Sequence, residues 1–165
     1  MKYDDVKVPE GLTKGEQPAA AVVQSAASKV ASLIRDLKGL GDLLKNDTLK
    51  AAATDTKYTV SAKLLTVLNL DGTPGTYEIT VPGVKKGAIV FLLHEAGQGW
   101  DVIPASVPAD GTVKADFPSF SNYAIVEVDL GAASPKTGEA FPAVAVMAVI
   151  CLAGVVVCRR KLRFS

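Results

Sequence analysis

Residues 58–64, Tyr-Thr-Val-Ser-Ala-Lys-Leu, alternate one for one between apolar and polar side chains and are the strongest structural signal in this chain. Alternation with a period of two places the two sets of side chains on opposite faces of a β-strand. The apolar character continues over residues 65–70, across an expected β-bulge, and stops at the turn-forming residues 71–75. We therefore predict a strand with one buried face.

Further strand signals recur toward the C-terminus at regular intervals, and the one at residues 88–94 has an apolar centre that indicates a buried strand. Gly-, Pro- and Asp-containing turns separate the predicted strands, which cover residues 76–81, 88–94, 100–103 with a short continuation through Ser106 and Val107, 112–117 and 122–129. Short strands spaced by roughly 8–12 residues are typical of antiparallel sandwiches. We predict a mainly β domain over residues 54–130, an antiparallel β-sandwich of the immunoglobulin-like kind.

An amphipathic helix is predicted before this domain, over residues 17–46. Its apolar positions recur at spacings of three and four: Val23, Ala26, Val30, Leu33, Leu37, Leu40 and Leu44. Gly39 and Gly41 are expected to break its last turns, since glycine disfavours helix interiors. Residues 49–53 are expected to add a helical turn. Two interpretations stay open: a coiled coil that pairs chains, or a helix that packs on its own domain.

Residues 1–16 mix charged residues with Gly and Pro and are predicted to be a linker. They contain no apolar segment of the kind that a secretory signal peptide requires. Because the C-terminal features described next imply export, we expect the chain to be a fragment of a longer protein.

The C-terminal segment contains an apolar run, AFPAVAVMAVICLAGVVVC, over residues 140–158. At about 1.5 Å per residue, roughly 19 helical residues are long enough to cross a bilayer core. A basic tail over residues 159–165 follows at once, and it contains Arg159, Arg160, Lys161 and Arg163. Basic residues beside a span stay on the cytoplasmic side. We predict a transmembrane helix, an external upstream domain and a cytoplasmic tail.

Directly before the span, within a linker over residues 131–139, lie Ser134, Pro135, Lys136, Thr137 and Gly138. Pentapeptide, apolar span and basic tail together resemble the cell-wall sorting signal of Gram-positive bacteria, the LPxTG type. Pro135, Thr137 and Gly138 match the invariant places of that pattern, and Ser134 stands where the commonest form has Leu. Pro135 restricts its own φ and makes Ser134 extended, so the peptide is expected to be presented kinked and pre-ordered.

The resemblance implies chemistry that is done to this chain by a partner. A sortase would attack the Thr137 carbonyl with its own cysteine, cleave the bond between Thr137 and Gly138, and transfer the chain to an amino group of peptidoglycan. The partners implied are therefore sortase, peptidoglycan and, before cleavage, membrane lipid. The expected location is the cell wall, on the surface of a Gram-positive bacterium.

The β-domain also resembles a β-rich domain that recurs before sorting signals in surface proteins of Firmicutes. Four segments carry this likeness: residues 79–84, 92–104, 110–113 and 120–126. The likeness implies a surface module and no particular ligand. A host or glycan ligand is compatible with it and stays unidentified.

Several other function classes are disfavoured. Five of the 18 Lys and Arg residues and one of the 17 Asp and Glu residues lie after residue 133, which leaves a net charge of −3 before it. A nucleic-acid-binding domain would instead carry a basic patch. Both cysteines lie in the span, and no sequence motif indicates a metal ion or a cofactor. We expect the chain not to be an enzyme.

Three side chains are candidates for chemistry in the β-domain. His94 is the only histidine, and we expect it to form a cross-strand pair on the surface rather than to act as a general base with Glu95 or Asp101. Trp100 is expected in the core, although Trp100 and Tyr123 could also line a carbohydrate platform.

Two alternative functions remain open at this stage. One is a single-pass membrane protein that sortase does not process. The other is the C-terminal anchor of a larger surface enzyme.

Overall fold

A computed structural model describes residues 1–132 of the chain. The elements, in order, are a 3₁₀ turn at Tyr3–Asp5, β1 at Leu12–Lys14, α1 at Ala20–Arg35, α2 at Leu37–Leu43, α3 at Asp47–Ala52, β2 at Tyr58–Gly72, β3 at Gly75–Thr80, β4 at Ile89–Ala96, β5 at Gly99–Ala109, β6 at Thr112–Phe117 and β7 at Asn122–Ala132. The described part is mainly β, as the sequence predicts, and six of its seven strands lie where strands were predicted.

The seven strands form one antiparallel sheet in the order β1-β2-β7-β4-β5-β6-β3. The strands are antiparallel, as predicted, and they form one continuous, curled sheet. Strands β4, β5 and β6 are consecutive neighbours, and β3 lies beside β6, which makes a Greek key.

The sheet curls because β5 changes partner along its length. Its first half pairs with β4 as far as Pro104, and its second half pairs with β6 from Ala105 onward. The β5–β6 register shifts between Ser106 and Ala109. β-Structures turn a corner where a strand passes, through an irregularity, from one half of a sheet to the other. One sheet can therefore enclose a core.

The curl produces two hydrophobic cores, one on each face of the sheet. The inner core lies inside the curl and collects side chains from β1–β7, among them Leu68, Ile79, Leu92, Phe117 and Ile125. The outer core lies between the opposite face of β2, β4 and β7 and the three helices, and includes Phe91, Leu93 and Val126. The molecule thus has three layers: helices, the first half of the sheet, and the half that folds over.

The amphipathic helix packs on its own domain, in agreement with the second interpretation of the sequence. Ala26, Val30 and Ile34 of α1 are buried in the outer core. The single predicted helix over residues 17–46 is instead two helices, α1 and α2, and α3 follows where the extra turn was expected.

The break falls at Asp36 rather than at the glycines. The Asp36 carboxylate accepts a hydrogen bond from the Gly39 backbone N–H at 3.1 Å and so caps α2. Gly41 lies inside α2, where a Cβ would come within 3.0 Å of the Lys50 backbone nitrogen. This glycine allows α2 and α3 to approach closely, and the prediction that it breaks the helix was wrong.

Residues 1–16 were predicted to be a linker. They instead form a segment, called the strap below, that runs along the gap, called the seam, between β2 and β3 of the curled sheet. Lys7 exchanges two backbone hydrogen bonds with Thr80 at the end of β3, and β1 pairs with the end of β2. Val6 is 1% exposed and Leu12 5% exposed, both in the inner core. The strap therefore joins the two open edges of the sheet.

Within residues 1–132, no helix combines the length and the apolar character needed to cross a bilayer. The predicted transmembrane helix over residues 140–158 and the basic tail over residues 159–165 lie outside the described residues.

Candidate functional site

The predicted sortase motif, Ser134 to Gly138, lies outside the described residues, so the structure bears on it through the element that precedes it. That element is β7, which ends at Ala132. Ala132 pairs with Tyr58, the first residue of β2, and Gly131 pairs with Thr59. These four residues are called the ribbon tip below.

The ribbon tip projects from the rest of the sheet. On the other side of β7, pairing with β4 begins only at Val128, opposite Ile89. The last four residues of β7 therefore pair with β2 alone, and at about 3.3 Å per residue this two-stranded ribbon extends roughly 13 Å beyond the start of β4. The base of the ribbon is anchored, because Val60 and Leu130 pack against the outer core.

The ribbon tip itself is open to solvent. Within residues 1–132, two large apolar side chains are exposed: Tyr58, which is 42% exposed, and Leu43 on α2. Thr59, Gly131 and Ala132 are exposed as well. Alternation indicated that Tyr58 begins a strand, but nothing in the sequence indicated that its aromatic ring would be left uncovered.

A second group of candidate side chains lies at the opposite end of the sheet, around His94. The prediction that His94 is a surface residue was wrong, since it is only 6% exposed. Its ring packs on that of Tyr123, with 4.7 Å between ring centroids, and its Nε2 lies 3.1 Å from Ser119 Oγ. The Tyr123 hydroxyl donates to the Ser119 carbonyl. Burial raises the pKa of the Tyr123 hydroxyl to about 12.

This cluster contains a serine and a histidine, the residue types of a nucleophile and a base, but within residues 1–132 no third group orients the histidine as in a catalytic site. Catalytic Ser–His pairs are oriented by a third group, commonly a carboxylate. In the part of the chain that the structure describes, the nearby Glu95 carboxylate instead accepts a hydrogen bond from Asn122 at 2.6 Å. Ser121 Oγ donates to the Glu95 carbonyl at 2.7 Å. These bonds hold the loop between β6 and β7 onto β4, which is a structural role.

Trp100 is buried, as predicted, and is 8% exposed. Its indole N–H donates to Ser25 Oγ on α1 at 3.0 Å. The side chain therefore ties the helical layer to the sheet. With its face in the outer core, it does not offer a platform on which a sugar ring could stack.

A shallow depression of about 180 Å³ lies at the open end of the curl, near the strap. Lys63 and Glu127, which are opposite each other on β2 and β7, line it together with Asp5. Burial, and then the charge of Asp129, raise the pKa of Glu127, while Lys63 opposes the shift. The opposed charges of Lys63 and Glu127 do not indicate one class of ligand.

Metal binding has no support in residues 1–132, where no group of three or more His, Cys, Asp or Glu side chains could hold an ion. Comparison with protein-family models, with curated proteins and with solved structures found no match for this chain.

Proposed function

We propose that this chain is a sortase substrate, a surface protein that becomes covalently attached to peptidoglycan. The observation that carries the proposal is the order pentapeptide, apolar run and basic tail over residues 134–165. One further feature supports it. Only Ala133 separates the last residue of β7 from Ser134, so the motif follows directly on a folded external module.

The reaction proceeds in two acyl transfers at Thr137. The cysteine thiolate of the sortase adds to the Thr137 carbonyl, the peptide bond to Gly138 breaks, and the Gly138 amine leaves with a proton. The resulting thioester is attacked by an amino group of peptidoglycan. A new amide bond forms, the cysteine leaves as the thiolate, and the proton released by the attacking amine restores to the enzyme the one that left with Gly138.

Before cleavage, the apolar segment over residues 140–158 spans the membrane, and the tail keeps the precursor in place. Arg159, Arg160, Lys161 and Arg163 remain cytoplasmic because moving several cationic side chains across the bilayer is costly. This places residues 1–132 outside the cell, where the motif meets a membrane-bound enzyme.

The β-domain acts as a spacer or an adhesive module in this proposal, and the chain itself is not an enzyme. We also assign the curled sheet to the immunoglobulin-like class of sandwiches. Two features support that assignment: the Greek key, and the bond from the Tyr123 hydroxyl to the carbonyl of Ser119 four residues earlier, as in a tyrosine corner.

The test is the mass of the C-terminal peptide of the protein released from purified cell walls by a muramidase. The expected peptide ends at Thr137 and carries a peptidoglycan stem. A Thr137→Ala variant should stay in the membrane fraction, and a Thr13→Ala variant, altered far from the motif, should be anchored normally. A protein that retains Ser165 and is extracted only by detergent would make it an unprocessed membrane protein.

A further inference from the structure

The ribbon tip lies very close to the peptide that the proposed reaction uses, and this closeness has a structural consequence. Consecutive Cα atoms are 3.80 Å apart, so the Cα atoms of Ala132 and Ser134 are separated by at most about 7.6 Å. Any enzyme that binds Ser134 in a groove must therefore have its surface within a few ångströms of β7.

The neighbouring strand brings a second set of side chains into the same space. Tyr58 is paired with Ala132, and adjacent strands lie about 4.8 Å apart. Because the ribbon projects beyond β4, the rest of the sheet does not hold an approaching protein away from Tyr58 and Thr59. Both residues are already exposed and free to be covered.

From this geometry we infer that the ribbon tip is a docking surface for the sortase, in addition to the pentapeptide itself. The inference rests on the proposed function and adds a second recognition element to it. Tyrosine is enriched at the energetically dominant positions of protein interfaces, where its large ring is covered at a low entropic cost. Tyr58 is the residue of the ribbon tip that fits this role.

The short connection between β7 and the pentapeptide strengthens the binding of the ribbon tip to the sortase. With one residue between β7 and the motif, binding of the pentapeptide places the ribbon tip against the enzyme at a high effective concentration. A long flexible insertion would remove this advantage while leaving the pentapeptide intact. The contribution of Tyr58 should therefore depend on the length of this connection.

The first experiment is site-specific photo-crosslinking of the full chain in its own bacterium. The aromatic photo-crosslinker p-benzoylphenylalanine replaces Tyr58 in one strain and Gln98 in another. Gln98 is the matched control, because it is exposed in the β4–β5 turn at the opposite end of the sheet. A crosslink from position 58 to a sortase, absent from position 98, is the expected result. A crosslink from position 58 only to lipid or to a second copy of the chain would overturn the inference.

The second experiment measures how fast the membrane precursor becomes wall-linked in a pulse-chase. Tyr58→Ser should slow conversion on the order of fivefold, the loss expected for one interface tyrosine. Inserting about twelve Gly and Ser residues after Ala132 should abolish the difference between the Tyr58→Ser variant and the wild type, because such a linker is flexible. The same insertion between Gly97 and Gln98 should leave the difference unchanged.

The two proposals fail in distinguishable ways. If the wild-type chain is never cleaved at Thr137, both the proposed function and the docking surface are wrong. If cleavage at Thr137 proceeds at the same rate with Tyr58→Ser as without it, the chain is a sortase substrate and only the docking surface is wrong.

Discussion

Strands β4 and β6 belong to the same sheet but have opposite burial patterns. In β4 every residue from Val90 to His94 is buried. In β6 buried and exposed residues alternate: Val113, Ala115 and Phe117 face the inner core, while Lys114 and Asp116 face solvent. The difference arises because helices cover the outer face of β4, whereas water covers that of β6.

The sequence of a strand therefore indicates whether one or both of its faces are covered by other parts of the protein. A strand with one solvated face needs polar side chains at every second position, and one that is covered on both faces does not. The apolar run at residues 88–93 therefore already contains the information that something packs on both sides of β4. The helical layer shares one hydrophobic core with the outer face of β4, and α1 contributes Ala26, Val30 and Ile34 to that core.

The largest expected effect comes from removing an outward-facing side chain of β4. Phe91→Ala should lower the free energy of unfolding by about 3–5 kcal/mol, since it leaves a cavity under the helices. The matched change on β6 is Lys114→Ala, which removes an exposed ion pair with Glu78 at 3.3 Å and should change stability by no more than about 0.5 kcal/mol. Urea unfolding measures both. Similar losses at the two sites would mean that the outer faces do not differ as described.

The next effect concerns the strap. Leu12→Ala should cost about 2–5 kcal/mol, because Leu12 is buried in the inner core at the seam of the sheet. Thr13→Ala on the same strand is the control, since Thr13 is exposed. Denaturant midpoints of the two variants give the comparison. If residues 1–16 were a linker, neither variant would be less stable than the wild type.

Much of the fold could be predicted because its signals are local. Alternation, together with the apolar run at residues 88–93, located six strands, and the spacing of three and four located α1. What could not be predicted depends on partners distant in sequence. The curl depends on β5 exchanging β4 for β6 after Pro104. The sequence indicates an interruption at Pro104, but no pattern within β5 shows which strand each half pairs with.

The strap was missed for the same reason. Val6 and Leu12 are single apolar residues among charged ones, and they are buried only because β2 and β3 leave a seam open. The burial of His94 is equally non-local, as it depends on the loop before β7 folding back over β4.

The candidate sites also differ in whether their signal is local in sequence or depends on distant residues. The proposed sorting signal is a linear one, and the resemblance rests on the pentapeptide, the apolar run and the basic tail together, over residues 134–165. The ribbon tip could not be recognised from the sequence, because its exposure is set by where β4 begins relative to β7.

A smaller effect tests the connection between the helical layer and the sheet. Trp100→Phe keeps most of the buried ring but removes the N–H that donates to Ser25 on α1. One such hydrogen bond contributes about 0.5–1.5 kcal/mol. A double-mutant cycle with Ser25→Ala isolates this coupling from the loss of ring volume. Strictly additive effects of the two changes would mean that the bond does not join the layers.

The last prediction concerns the stability of the protein at alkaline pH, where Tyr123, at the polar end of the inner core, contributes. At neutral pH no effect is expected. Burial raises the pKa of Tyr123 to about 12, against about 10 in an unfolded chain. Below pH 10 the phenol is protonated in both states and makes no difference to stability. Between pH 10 and 12 the unfolded state releases this proton and the folded state does not, so stability should fall as the pH rises.

Urea midpoints at pH 8 and pH 11 measure this fall. In Tyr123→Phe it should be smaller than in the wild type, because the variant has no phenol to ionise there. Tyr58→Phe, at the exposed ribbon tip, should keep the wild-type fall. Equal falls in all three proteins would mean that the ring of Tyr123 is not shielded from water by His94 and Phe117. The contrast between a closed inner core and an exposed ribbon tip would then lose its chemical support.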